Sequence, residues 1–357
     1  HDQHINMRIV TFVEQYQVLF SILQAHGLEI YLTMDILTYS PKLRSMIAGS
    51  KKKGFQFIQR QINKVFSLFP EVKGIIFRIG ECDGTDVKGD FVSELFLKTP
   101  RDVNHMLKIL LPLFEQHQRF LILRNWTVGA YRIGDFIWHR RTTEQVLRGI
   151  RSPNFILSMK YGETDFFRYL PLNKNFLRFN VKKIVELQAK REYEGCGEFP
   201  SFIGWDYQYY AHQLESAKNL VGISVWCQTG GWVPFRRLTY LDESAIWNEL
   251  NSFVTLKVFK QRWTVEQAIS SFCTEIGCDD PDAFCEILHL SDQVIKQLLY
   301  IEEIAKNKQF FRRVRIPPLV NVYWNNIFIN DSVRKLLLYL VQAPEHSLEQ
   351  GLSRIHI

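Results

Sequence analysis

Paired carboxyl groups can cleave a glycosidic bond, one protonating the leaving oxygen while another activates water or attacks the anomeric carbon. Three acidic segments of this chain, each directly behind a short apolar run, offer such groups. Glu81 follows Gly74-Ile-Ile-Phe-Arg-Ile79, where desolvation raises a carboxyl pKa as a general acid requires. Asp165 stands in Lys160-Tyr-Gly-Glu-Thr-Asp-Phe-Phe-Arg168, behind Phe155-Ile-Leu-Ser-Met159, with Glu163 close by. Glu192 stands in Gln188-Ala-Lys-Arg-Glu-Tyr-Glu-Gly195, behind Ile184-Val-Glu-Leu-Gln188, with Glu194 as its rival. Each has a plainer alternative: a helix or loop cap for Glu81, an ion pair with Lys160 or Arg168 for Asp165, and a solvated charge cluster for Glu192. Asp83 and Asp86 read as turn residues.

The same segments hold groups suited to binding. Arg78, Arg124, Lys160 and Arg168 can take a sugar carboxylate, arginine in bidentate fashion, or can pair with the acids beside them. Asn125 and Tyr161 follow strands and offer polar contacts. Trp126, Trp205 and Trp226, with Trp138 and Trp232, fall in or near loops and can stack on a pyranose face or simply pack; His139 is a polar cleft residue or a satisfied structural histidine. No GxGxxG follows a strand, and neither a P-loop, an HExxH nor a GxSxG occurs, which argues against nucleotide-dependent, zinc-protease and serine-hydrolase chemistry. No Cys/His cluster has zinc spacing, so the expectation is no metal and no cofactor.

Short apolar strands must position these residues. Runs at 28–34, 74–79, 120–124, 155–159, 184–188 and 221–226 read as strands, with Phe202-Ile-Gly204 as a weak seventh, and helical spacing fills most intervals. That alternation predicts parallel βαβ units. Polar residues recur just after nearly every strand (Asp35, Glu81, Asn125, Lys160, Glu192, Gln228), which favours a (β/α)8 TIM barrel, whose strand ends converge on one mouth, over a doubly wound open sheet. The shortfall in strands fits a start lost upstream. Stretches 246–259, 264–276, 282–306 and 331–342 read as helices with no strand between them. The expected organisation is a barrel domain over 1–240 and an all-α domain over 241–357.

The charge is +7 over 357 residues, with 46% apolar, 23% charged and 14% aromatic residues, an ordinary globular balance. Positive charge steers anionic substrates. A nucleic-acid partner is not expected, because no recognised module accompanies the basic clusters Lys51–Lys53 and Arg312–Arg315. No run of about 20 apolar residues marks a membrane span, and no signal peptide is read. The compartment is left between cytoplasm and periplasm, a homodimer is left open, and the partner expected is an oligosaccharide or polysaccharide substrate. The six cysteines read as mostly structural thiols, with a disulfide among Cys273, Cys278 and Cys285 as the alternative.

At three segments the chain resembles glycoside hydrolase family 67, the α-glucuronidases: Phe77-Arg-Ile-Gly-Glu-Cys-Asp-Gly84, Met159-Lys-Tyr-Gly-Glu-Thr-Asp-Phe166 and Leu187-Gln-Ala-Lys-Arg-Glu-Tyr-Glu-Gly195. The similarity runs in patches over about residues 28–232, and Trp263-Thr-Val-Glu-Gln267 and Arg315-Ile-Pro-Pro-Leu319 also look familial. The resemblance implies a terminal uronic acid removed from a plant-type glycan with inversion, Glu81 as the acid, and Asp165 and Glu192 activating water. The alternatives are a glycosidase for a neutral or amino sugar and an inactive carbohydrate-binding barrel.

Overall fold

Branched and aromatic side chains fit a pleated, buried surface, and the apolar runs of this chain become strands. The computed structural model describes residues 2–36, 41–80, 95–127, 131–197, 200–227, 245–311 and 313–319. Six strands form one sheet: β1 (Ile30–Asp35), β2 (Val72–Arg78), β3 (Phe120–Arg124), β4 (Phe155–Lys160), β5 (Lys183–Gln188) and β6 (Leu220–Trp226). Each lies within about two residues of its apolar run. The first three ladders are parallel, with Ile76 opposite Ile122 and Leu123 opposite Leu157.

The closed (β/α)8 barrel expected from the sequence does not form. The strands are all parallel and follow chain order from β1 to β6, so β1 and β6 are edges and the sheet does not close. The weak seventh strand is absent as well: the helix that follows begins at Gly204 itself. The sequential order also differs from a doubly wound sheet, in which the order reverses. The expectation of an all-α end needs a second correction, because Phe310–Phe311 (β7) and Val314–Arg315 (β8) pair as a short antiparallel hairpin.

The chain divides into two compact units. The first takes residues 1–159 and 181–183, with helices α1 (Asp2–Ala25), α2 (Pro41–Ile47), α3 (Lys51–Leu68), α4 (Pro100–Gln116) and α5 (Arg140–Leu147). Helix α4 shows how local signals set an element. Thr99 and Asp102 make a reciprocal capping box, and Pro100 occupies the first turn, where its missing N–H costs nothing. Val103, Met106, Leu107, Leu110 and Phe114 recur at helical spacing and are buried. The Phe114 ring meets Phe66 at 5.4 Å and Phe77 at 6.0 Å. Strand β2 runs so close to its neighbour that a Cβ on Gly74 would stand 2.5 Å from the Phe120 carbonyl oxygen. That oxygen belongs to the backbone and cannot swing away. Gly74→Ala is therefore expected to cost about 1–3 kcal/mol, read as a lower urea midpoint with an unchanged slope; an unchanged midpoint would show that the strands separate freely.

The second unit takes residues 160–180 and 184–357. Its described helices are α6 (Asn175–Arg178), α7 (Gly204–Leu214), α8 (Ile246–Leu256), α9 (Val265–Ile276), α10 (Pro281–Leu299) and α11 (Glu302–Lys306). Helix α8 widens into a π-helical turn, Lys257–Gln261, and stops at Arg262 in the left-handed region (φ 56). Thr264 and Gln267 form the capping box of α9, and Gly277 closes it. Phe202, Val254, Phe272 and Leu288 lie at the heart of the apolar core that these helices share. No disulfide joins Cys196, Cys227, Cys273, Cys278 or Cys285. Among the described residues no helix is long and apolar enough to cross a membrane. The helical stretch 331–342 lies outside the described residues.

Candidate active site

A parallel sheet presents its carboxyl ends as the natural place for chemistry. Strand β4 ends at Lys160, and the loop behind it holds Asp165. Strand β5 ends at Gln188, and the loop behind it holds Glu192. Lys160 and Asp165 are ion-paired within this loop, with side chains 4% and 13% exposed. The Lys160 ammonium also lies 4.3 Å from the Phe166 ring centroid, a cation–π contact. The second Asp165 oxygen accepts the Tyr193 hydroxyl at 2.7 Å, and the first accepts the Phe166 amide at 2.9 Å. Burial pushes the Asp165 carboxyl up, but Lys160, Tyr193 and the Phe166 amide outweigh it and hold the group below its ordinary value. Asp165 is thus an ionised carboxylate in a nearly dry place.

Glu192 is half-buried and is oriented from the strand end: Gln188 Nε2 donates to its carboxylate at 3.2 Å, and the Glu192 amide donates to Gln188 Oε1 at 2.8 Å. Its neighbour in sequence, Tyr193, is the residue that reaches Asp165. The two strand-end loops therefore meet at a Tyr–Asp hydrogen bond. A small cavity of about 20 Å³, bordered by Asp165, Tyr161, Glu186, Arg191, Tyr207 and Tyr210, has room for roughly one or two waters. The Tyr161 hydroxyl has no hydrogen-bond partner among the described residues, and its ring stacks on Tyr210 at 3.5 Å. Burial first, then the acidic Tyr209 and Asp206 groups, push its pKa above the ordinary phenol value.

Glu194 points the other way. Arg191 and Cys196 both adopt left-handed backbone (φ 53 each), a costly conformation for such residues, and the loop they shape buries Glu194 at 1% exposure. There it meets Arg168 and Arg191 and accepts the Ser201 and Tyr300 hydroxyls. Desolvation raises its pKa, but the two guanidinium groups dominate and hold it well below the carboxylate range. Arg168 is completely buried. All five of its N–H donors are engaged, by both Glu194 oxygens, Asp206 at 2.7 Å, Asp292 at 2.5 Å and the Phe202 carbonyl at 2.8 Å. Glu163 is held by Lys308 at 2.8 Å and Arg315 at 3.5 Å, and Thr164 donates to the Arg315 carbonyl at 3.3 Å. The loop that carries Asp165 is therefore fastened at both shoulders.

The other sequence-derived positions lie elsewhere. Glu81 falls outside the described residues, as do Asp83, Asp86, Gln228 and Trp232. In the first unit, Arg78 ends β2 and pairs with Asp35 at 3.1 Å; Arg124 ends β3 and is buried, as are Asn125, whose side chain donates to the Ile137 carbonyl at 3.3 Å, and Trp126. In the second unit, Trp226 ends β6 and is half-buried. Trp205 sits in α7, stacked on His289 at 3.8 Å, with its indole N–H on Glu266 at 3.0 Å. A larger hollow of about 530 Å³, lined by α7 and by Val258, Phe259, Arg262 and Trp263, borders neither Asp165 nor Glu192. The sequence reading gave no role to Tyr193, although it sits inside a singled-out segment; its signal was a phenol directly beside a candidate carboxylate. Among the described residues no group of three or more His, Cys, Asp or Glu side chains is arranged to hold a metal ion.

The fold and this geometry define an α/β protein whose polar machinery gathers behind consecutive parallel strands. No family model matches the sequence, and no curated protein matches it either.

Proposed function

We propose that this chain is a glycoside hydrolase that removes a terminal uronic acid, or a similar acidic sugar, from a plant-type glycan, with Asp165 and Glu192 activating water and Glu81 donating the proton to the leaving oxygen. The observation that carries the reading is the hydrogen bond from Tyr193 to Asp165, which draws together the loops bearing the two carboxylates expected to act on water. An ionised Asp165 beside a water-sized space suits a group that orients or deprotonates water rather than one that donates a proton. The net charge of +7 favours approach of an anionic substrate. Lys160 tunes Asp165 in this reading, and Arg78 and Arg124 remain candidates for the sugar carboxylate.

The test is a panel of aryl glycosides and acidic-sugar disaccharides, with the anomeric configuration of the first product followed by NMR. The expected result is hydrolysis confined to acidic sugars with inverted product, and loss of glycan hydrolysis in Glu81→Gln with activated aryl glycosides spared more. Hydrolysis only of neutral sugars would discard the acidic substrate. Calorimetric binding without turnover of any glycoside would make the chain a carbohydrate-binding protein.

A further inference from the structure

The larger hollow in the second unit has no part in the chemistry above. It opens beside the C-terminal half of α7, the start of β6 and the π-helical turn after α8, whereas the loops bearing Asp165 and Glu192 follow the ends of β4 and β5. In a sheet of parallel strands these are opposite edges. Its volume of about 530 Å³ falls among small-ligand sites, which run from about 300 to 1,000 Å³. Phe259 and Trp263 line it together with Gln208, His212, Glu215 and Arg262. Trp263 is half-buried. The Lys257 ammonium lies 4.5 Å from its ring centroid, and no ring of the described residues stacks on it. Arg262 is exposed, and its guanidinium makes no ion pair or hydrogen bond among the described residues. Its left-handed backbone (φ 56) ends the π-helical turn. Strained residues and π-helical turns both gather at binding sites.

We propose that this hollow is an accessory glycan-binding site, which takes a uronic-acid unit of the substrate chain away from the point of cleavage. The inference takes its guest from the acidic-glycan reading of the function. A pyranose ring offers an apolar C–H face that packs on an aromatic ring, and hydroxyls that need polar partners. Trp263 and Phe259 supply the ring faces. Gln208, His212 and Glu215 supply donors and acceptors. Gln208 is already positioned: its side-chain oxygen accepts the Val265 amide at 2.8 Å, which leaves its NH2 group to donate. His212 Nδ1 and Glu215 Oε2 lie 3.5 Å apart on the same helix. A uronic acid adds a carboxylate, and the uncommitted guanidinium of Arg262 is a planar fork that binds a carboxylate with two N–H groups. The net charge of +7 draws the same anion. On a polymeric substrate a second hold raises the effective concentration of the chain at the cleavage site.

The test irradiates the full chain with a xylo-oligosaccharide that carries one glucuronic acid and a photo-reactive diazirine, and maps the labelled peptides by mass spectrometry. The expected label falls on 208–215 and 258–264. Excess acidic oligosaccharide without the diazirine should displace it, and the neutral parent should not. In Arg262→Asn the label should drop about tenfold, the worth of a charge-assisted hydrogen bond; asparagine tolerates left-handed backbone. Absence of label from those peptides, equal displacement by the neutral parent, or an undiminished label in Arg262→Asn would overturn the inference. Should that variant not fold, the competition on the unaltered chain decides alone. Hydrolysis of acidic glycosides, followed on the same protein, separates the two readings. Label in the hollow without hydrolysis upholds this site and removes the glycosidase; hydrolysis without that label removes this site alone.

Discussion

Replacing Arg168 by methionine will destabilise the protein by about 3–5 kcal/mol, because it strands buried carboxylates that have lost their counter-charge. The wild-type guanidinium is fully buried and answers Glu194, Asp206 and Asp292 at once. Arg191 remains against Glu194, and Lys296 against Asp292 at 2.7 Å, which keeps the loss inside that range rather than beyond it. Arg168→Lys will retain charge but not the planar fork that grips Glu194 with two N–H groups, and should fall between wild type and the methionine variant. Urea unfolding at neutral pH measures both. The gap must also depend on pH with a definite sign. The folded-state pKa of Glu194 is depressed, so its contribution is present above the unfolded value near 4.3 and is lost as the pH falls through the folded one. The difference between wild type and variant should shrink in strong acid; a difference below about 1 kcal/mol at pH 7 would mean that the cluster relaxes or hydrates without cost.

On the proposed function, Asp165→Asn will lower turnover of acidic-sugar glycosides by about 10²–10⁴-fold, the usual worth of a positioned acid or base. The amide keeps the shape of the side chain and can still accept from Tyr193, but it cannot take a proton from water. The loss should fall on kcat with KM little changed, as for an interaction used in the transition state. Tyr193→Phe should reproduce part of the loss while leaving the charge of Asp165 intact. Because Lys160, Tyr193 and the Phe166 amide depress the Asp165 pKa, activity that needs this carboxylate should persist as the pH falls past the ordinary aspartate value and fail only below it. An Asp165→Asn variant with unchanged kcat would remove Asp165 from the chemistry, whatever its effect on folding.

The six strands were legible because each is a short, largely apolar run with its own local signature, and Lys160 and Gln188 were legible as strand ends because polarity switches there. Closure was not. Whether a sheet joins its first strand to its last depends on pairing across the whole chain, and polar residues behind strands look alike in an open sheet and a barrel. Phe202-Ile-Gly204 misled for a local reason: its apolar composition belongs to the core beneath α7, and Gly204 opens a helix in which a Cβ would stand 2.3 Å from the Phe202 ring. Glu192 and Glu194 could not be told apart in the sequence because the left-handed turns at Arg191 and Cys196 decide which of them faces inward. Arg168 read equally as a ligand for a sugar and as a partner of the acids beside it, because its partners Asp206 and Asp292 lie 38 and 124 residues away, beyond any spacing rule. The ion pair between Lys160 and Asp165, five residues apart, is the one contact of the site that local reading did include.

The grip on Glu163 bears on how the protein is made. Its partners Lys308 and Arg315 lie 145 and 152 residues downstream, so a ribosome must translate well past β6, the last strand of the parallel sheet, before that shoulder can be secured. Domains tend to fold as they emerge, and here the sheet can be in place while the loop bearing Asp165 still waits for its distant clasp. A nascent chain halted ahead of residue 308 would carry all six strands of the parallel sheet and yet lack both partners of Glu163, so the final setting of this loop trails the appearance of the sheet.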